Sequence, residues 1–100
     1  MKITILEQAF EELSEAIKYY EEKQTGLGLK LKDEIDHHIN WILKNSTVPQ
    51  LRKGGFRRVN LKIFPFYIAY IIREDMLWIL AIANAYRKPG YWIKRKKHTK

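Results

Sequence analysis

The chain contains no cysteine. That excludes a disulfide framework and any thiolate metal site, and it suits a reducing compartment. No apolar run approaches the length of a bilayer span. The N-terminus, MKITILEQAF, carries one lysine and a short apolar patch and then turns acidic, so it has neither the apolar core nor the cleavage site of a signal peptide. A cytoplasmic protein that does not enter membranes is expected.

Catalytic side chains are sparse as well. The only serines are Ser14 and Ser46, and neither lies in a nucleophile-elbow sequence. The histidines are His37, His38 and His98. Neighbours on a helix point about 100° apart, so His37 and His38 cannot chelate one ion. Gly26-Leu27-Gly28 lacks the preceding strand and third glycine of a phosphate loop. No metal and no cofactor are expected.

Acidic residues almost vanish from the second half. Residues 1–50 hold six Lys and Arg against nine Asp and Glu; residues 51–100 hold thirteen against two, a net of +11. Such an asymmetry points to a polyanion or an acidic protein as partner of the second half. Aromatic rings are interleaved with these cations at Tyr86-Arg87-Lys88 and Tyr91-Trp92. Guanidinium groups that hold phosphates and rings that stack on bases suit single-stranded nucleic acid, and the same mixture suits an acidic protein helix.

One hundred residues make a single domain, 1–100, able to bury roughly two thirds of its unfolded surface. Lys2 to Leu6 is short and β-branched and reads as a strand. Phe10, Leu13, Ile17 and Tyr20 recur at helical spacing and predict a helix over about residues 7–24. Thr25, Gly26 and Gly28 break that pattern. Leu27, Leu31, Ile35, Ile39 and Ile42 then predict a second helix, which stops at Asn45 to Pro49. Helices joined this tightly form an antiparallel hairpin. Three strands follow: Phe56 to Leu61, then PFYIAYIIR, then MLWILAIA, with Arg73-Glu74-Asp75 as the last turn. The order is β-α-α-β-β-β. The expected fold is α+β: a small antiparallel sheet with the helical hairpin on one face. Residues 94–100 form a basic tail of the kind that can be disordered when free.

The two long strands are apolar on both faces: Tyr67, Ala69 and Ile71 on one side against Phe66, Ile68, Tyr70 and Ile72 on the other, and Trp78 and Leu80 against Ile79. Two helices cover one face only. Something must lie on the second, because so large an apolar surface rarely stays wet. The C-terminal segment, a partner chain or a second copy could each do so.

The segments YYEEKQTGLGLKLKDEI, RRVNLKIFPFYIAYII and ILAIANAYRKPGYWIKR, in this order and spacing, resemble the RelE/ParE superfamily of toxins from bacterial type II toxin–antitoxin systems, also called plasmid stabilisation proteins. The likeness covers nearly the whole chain. It implies the fold above, a role in stress response, and a cognate antitoxin that lies on the sheet or adds a strand to it, here meeting Tyr67, Ile71, Trp78 and Leu80, with a toxin–antitoxin heterotetramer as one assembly. RelE-like members cut messenger RNA on the ribosome; ParE-like members inhibit DNA gyrase by protein contact. Against the nuclease pattern, Tyr67 stands in place of an arginine and Asn60 in place of a lysine. Arg58 matches a basic position, Arg87 matches the second arginine with a small gap, and Tyr91 or Trp92 matches the C-terminal tyrosine. The resemblance therefore favours the ParE branch. It implies Arg57, Arg58, Lys62, Arg87, Lys88 and Trp92 at a target or nucleic-acid surface, with Arg58, Arg87 and Tyr91 catalytic only in a ribonuclease. A third reading is a toxin fold retained only for binding. Where many ParE-like members end the last strand in histidine, this chain has Asn84.

Overall fold

The computed structural model describes residues 1–99. Lys100, the last residue of the basic tail, lies outside the described residues. The chain runs β1 (Lys2–Ile5), α1 (Glu7–Lys23), α2 (Leu27–Lys44), β2 (Arg57–Asn60), β3 (Phe66–Arg73), β4 (Met76–Asn84) and a 3-10 helix (Ile93–His98). The four strands form one mixed sheet in the order β1-β4-β3-β2. β2, β3 and β4 are antiparallel neighbours, as the hairpin connections require. β1 instead joins β4 in parallel, Lys2 opposite Met76 and Ile5 opposite Ile79. The whole helical hairpin intervenes between them, which is the long crossover that parallel pairing needs. Among the described residues, no helix is long and apolar enough to cross a membrane.

The hairpin between the helices is set by two glycines and a carboxylate. Gly26 takes φ 89°, a left-handed conformation that a side chain would resist. Glu21 accepts the backbone N–H of Gly26 at 2.9 Å and of Gly28 at 3.0 Å, so α1 itself supplies acceptors for the free donors at the start of α2. At Gly28 the helices touch: an added Cβ would lie 2.6 Å from the Ile17 carbonyl oxygen. Alanine would gain about 1 kcal/mol in helix propensity. Forcing two packed backbones apart costs about 1–3 kcal/mol. Gly28→Ala is therefore expected to lower the urea midpoint; an unchanged or raised midpoint would mean the hairpin can open at no cost.

The core is continuous from the hairpin through the sheet. Leu31, Ile35 and Ile42 of α2 are fully buried with Ile68, Tyr70, Leu77, Ile79 and Ile82 of the sheet. Tyr20 meets Phe64 and Phe66 edge-on, at centroid distances of 4.8 and 6.3 Å. Glu34, buried on α2, accepts the backbone N–H groups of Lys62 and Ile63, at 2.9 and 3.0 Å, and of Phe64 at 3.4 Å. One carboxylate thereby satisfies three donors of the β2–β3 loop, which would otherwise be costly to bury.

The second sheet face is covered by the C-terminal segment of the same chain. Trp92 is fully buried. It packs edge-on against Tyr67 at 5.3 Å and Phe56 at 5.4 Å. Arg73 donates to the Thr99 carbonyl and Lys96 to the Gly54 carbonyl. Of the three possible covers, the tail is the one the fold uses.

Candidate functional site

The site begins with a flaw in β4. Ala81 pairs with Ala69 and Ile79 with Tyr70, which leaves Leu80 as an extra residue, a bulge. On the other side of β4 the pairing with β1 stops at Ile79. Beyond that point two side chains take over. Glu12 of α1 accepts the Ile82 N–H at 3.2 Å, and Arg95 of the tail donates to the Leu80 carbonyl at 3.0 Å. Arg95 also pairs with Glu12 at 2.9 Å, and the Tyr91 hydroxyl donates to the same carboxylate at 2.7 Å. Helix, strand and tail are thus tied at one carboxylate.

Beside this clasp the expected cations and rings form a row. The Arg58 guanidinium lies over the Tyr67 ring at 4.1 Å. Tyr67 meets Trp92 at 5.3 Å, and Trp92 meets Tyr91 at 5.0 Å. The Arg87 guanidinium lies over Tyr91 at 4.2 Å. Two arginines far apart in sequence therefore bracket three rings. Between a cation and a ring face, contacts of this kind contribute about 0.5–2 kcal/mol each.

The residues divide by what they leave exposed. Arg87 and Lys88 are exposed, as is Lys62 on the β2–β3 loop. Arg57 turns away from the row, donating to the Thr47 and Pro49 carbonyls at 3.2 and 2.7 Å, and so braces the connector after α2. Trp92, expected at a target surface, lies inside the core because its ring fills the space between Phe56, Tyr67 and Tyr91. Tyr67, Ile71 and Leu80 are buried, Tyr67 against Trp92 of the tail, and Trp78 is the member of that quartet with exposed surface. Tyr86, the ring next to Arg87 and Lys88, is 87% exposed. The Asn84 side chain accepts the Tyr86 N–H at 2.8 Å, and this turn sends the ring outward.

The hydroxyls near the row hold their protons firmly. Burial, then the hydrogen bond to Glu12 and its charge, push the Tyr91 hydroxyl well above its ordinary value, against the opposing pull of Arg87 and Arg95. Tyr70, on the helix side, donates to the Ser46 carbonyl at 2.8 Å; burial pushes it up to about 12, with Arg57 opposing. Unfolded tyrosine titrates near about 10. The folded state therefore favours the neutral phenol. The stability this brings is complete below about pH 10 and is lost as pH rises through the folded value. Denaturant melts should weaken across that window, and Tyr70→Phe should make the fall shallower. An identical fall in the variant would remove Tyr70 as a source.

Sequence alone missed Glu12 and Glu34. Each sits on a helix among other charged residues, and nothing in spacing separates a solvated glutamate from one that caps backbone donors.

No family model and no curated protein matches the sequence. Among solved structures the chain is similar to a chain of the chromosomal ParDE toxin–antitoxin system from P. aeruginosa, with a TM-score of 0.74 and 18% identity over 84% of this chain and 95% of that one. The two chains share a fold, and it is the α+β arrangement of sheet and helical hairpin that the sequence resemblance implied.

Proposed function

We propose that this protein is the toxin of a type II toxin–antitoxin pair, neutralised by a cognate antitoxin, and that it acts in the ParE manner by contact with DNA gyrase. The observation that carries the choice of mechanism is the state of Tyr91. Its hydroxyl is committed to Glu12 at 2.7 Å and holds its proton tightly. A general base needs a group that gives up its proton near neutral pH, and Tyr91 does not offer one. Tyr67 adds no cation where a phosphorane would need one, and a missing donor of that kind costs about two to three orders of magnitude in rate. The exposed features beside the row are Arg87, Lys88 and Tyr86, which suit recognition of a partner surface.

Induction in bacteria with and without the antitoxin gene, followed by supercoiling assays on purified gyrase and primer extension on cellular messages, tests this reading. Growth arrest with blocked supercoiling and intact messages is expected. Cleavage within translated messages would instead identify a ribosome-dependent ribonuclease, and normal growth would leave a toxin fold kept for binding. Arg87→Ala is expected to reduce toxicity about tenfold or more in the inducer dose while the melting temperature falls by no more than about 8 °C, since an exposed cation–ring contact contributes about 0.5–1 kcal/mol. Full toxicity in this variant would move the contact surface elsewhere.

A further inference from the structure

A cavity of about 510 Å³ lies between α1 and the end of β4, beside the Glu12 clasp. Aromatic rings line part of it, with the exposed Tyr19 and Tyr86 at its rim. Tyr19 and Tyr20 come from α1, and Tyr86 and Tyr91 from the segment after β4. Its polar groups differ in how far they are committed. Glu12 is saturated by Arg95, Tyr91 and the Ile82 N–H. Glu15 is exposed, three residues further along the same helix, and has no ion pair or hydrogen bond among the described residues. Arg87 lies on the Tyr91 ring at 4.2 Å and likewise has no carboxylate partner. Asn84 spends its side-chain oxygen on the Tyr86 N–H and keeps its amide N–H₂.

We infer that this cavity binds a guanine nucleotide. Tyrosine rings around a volume of this size suit a planar base, because every base offers a face for stacking. The Glu15 carboxylate selects among the bases. A carboxylate only accepts hydrogen bonds. Of the four bases, guanine alone presents two adjacent donors, N1–H and the N2 amino group, which a carboxylate can take together. The Asn84 amide is a donor for the carbonyl oxygen at position 6. Arg87 supplies the cation for a phosphate, and its place on Tyr91 puts it at the wall of the same cavity. The ligand chemistry is a guanine base with an attached phosphate, whether as a mononucleotide or as one residue of a single strand. This site does not depend on the toxin reading, since binding is measured on the isolated chain.

The test is calorimetric titration of the full chain at low salt with GMP, AMP, CMP and UMP, and with guanosine. GMP is expected to bind about tenfold or more tighter than AMP, the discrimination that one bidentate contact provides. Guanosine should bind more weakly than GMP. Glu15→Gln should abolish the preference for GMP over AMP, and Arg87→Ala should bring GMP down to the level of guanosine. Glu15 is exposed and without a partner among the described residues, so Glu15→Gln should keep the wild-type melting temperature; Arg87→Ala gives up its stacking on Tyr91 and should melt about 2–8 °C lower while still folding. A 5′-phosphorylated RNA with a single guanine distinguishes the sources: tighter binding than GMP indicates a strand, equal binding a mononucleotide, and either keeps the site. Equal binding of all four nucleotides, no saturable binding, or an undiminished preference in Glu15→Gln would overturn the proposal. So would NMR shifts on adding GMP that fall on the basic tail and spare the Tyr19 and Tyr86 rings.

Discussion

Trp92→Ala is expected to lower the melting temperature by roughly 12 °C or more. The ring is fully buried and meets Phe56, Tyr67 and Tyr91 at 5.4, 5.3 and 5.0 Å. Truncating a buried tryptophan to alanine costs about 3–5 kcal/mol, and each kcal/mol shifts the transition of a domain this size by about 4–8 °C. A small domain has a total stability of about 5–15 kcal/mol, so the variant sits near the edge of folding. Trp92→Phe separates ring from polar group. Among the described residues the indole N–H has no hydrogen-bond partner, so phenylalanine surrenders volume but no satisfied contact. Its loss should be clearly smaller. Equal losses in the two variants would mean that a smaller ring recovers nothing there, so that the indole's own shape is what the site requires.

Glu12→Leu is expected to cost about 3 kcal/mol in denaturant unfolding. The carboxylate is only 17% exposed, and so is the Arg95 it holds. Removing one partner of a largely buried pair leaves the other charge uncompensated, at about 3–5 kcal/mol, and the residual exposure here argues for the lower end. Two further donors, the Tyr91 hydroxyl and the Ile82 N–H, lose their acceptor at the same time. Replacing both charges should be less damaging than the two single losses added together, because an apolar pair removes the stranded cation. Strict additivity of Glu12→Leu and Arg95→Leu would show that the clasp is not a coupled unit.

The elements that sequence makes legible are those whose apolar residues keep a period. The stripe Leu13, Ile17, Tyr20 and the stripe Leu31, Ile35, Ile42 place both helices within one or two residues of their ends. Alternation in the two long strands likewise reveals two apolar faces and the need for a second cover. The direction of β1 is different. Lys2 to Ile5 reads the same whichever way its neighbour runs, and only the assembled sheet makes the pairing parallel. The candidate site is legible in part. Its cations and rings stand out, and Trp92 as an interior ring follows once the tail is known to fold back. Its organiser does not stand out. Glu12 looks like any polar residue on an amphipathic helix, and the reason for its importance, the backbone of Leu80 to Ile82 left without a strand on its β1 side, exists only in three dimensions.

The parallel pairing of β1 with β4 also bears on when the protein can exist during its own synthesis. The first strand emerges early, yet its neighbour begins at Met76, and the partner of Glu12 is Arg95. Contacts this remote in sequence form slowly and cannot form on a partial chain. Residues 76–79 must be made before the first strand has an edge to join. A chain without residues 91–99 would keep an uncovered apolar sheet face, which makes it a substrate for proteases. Folding thereby waits on residues 91–99: the segment that covers the sheet also fastens the first helix through Glu12.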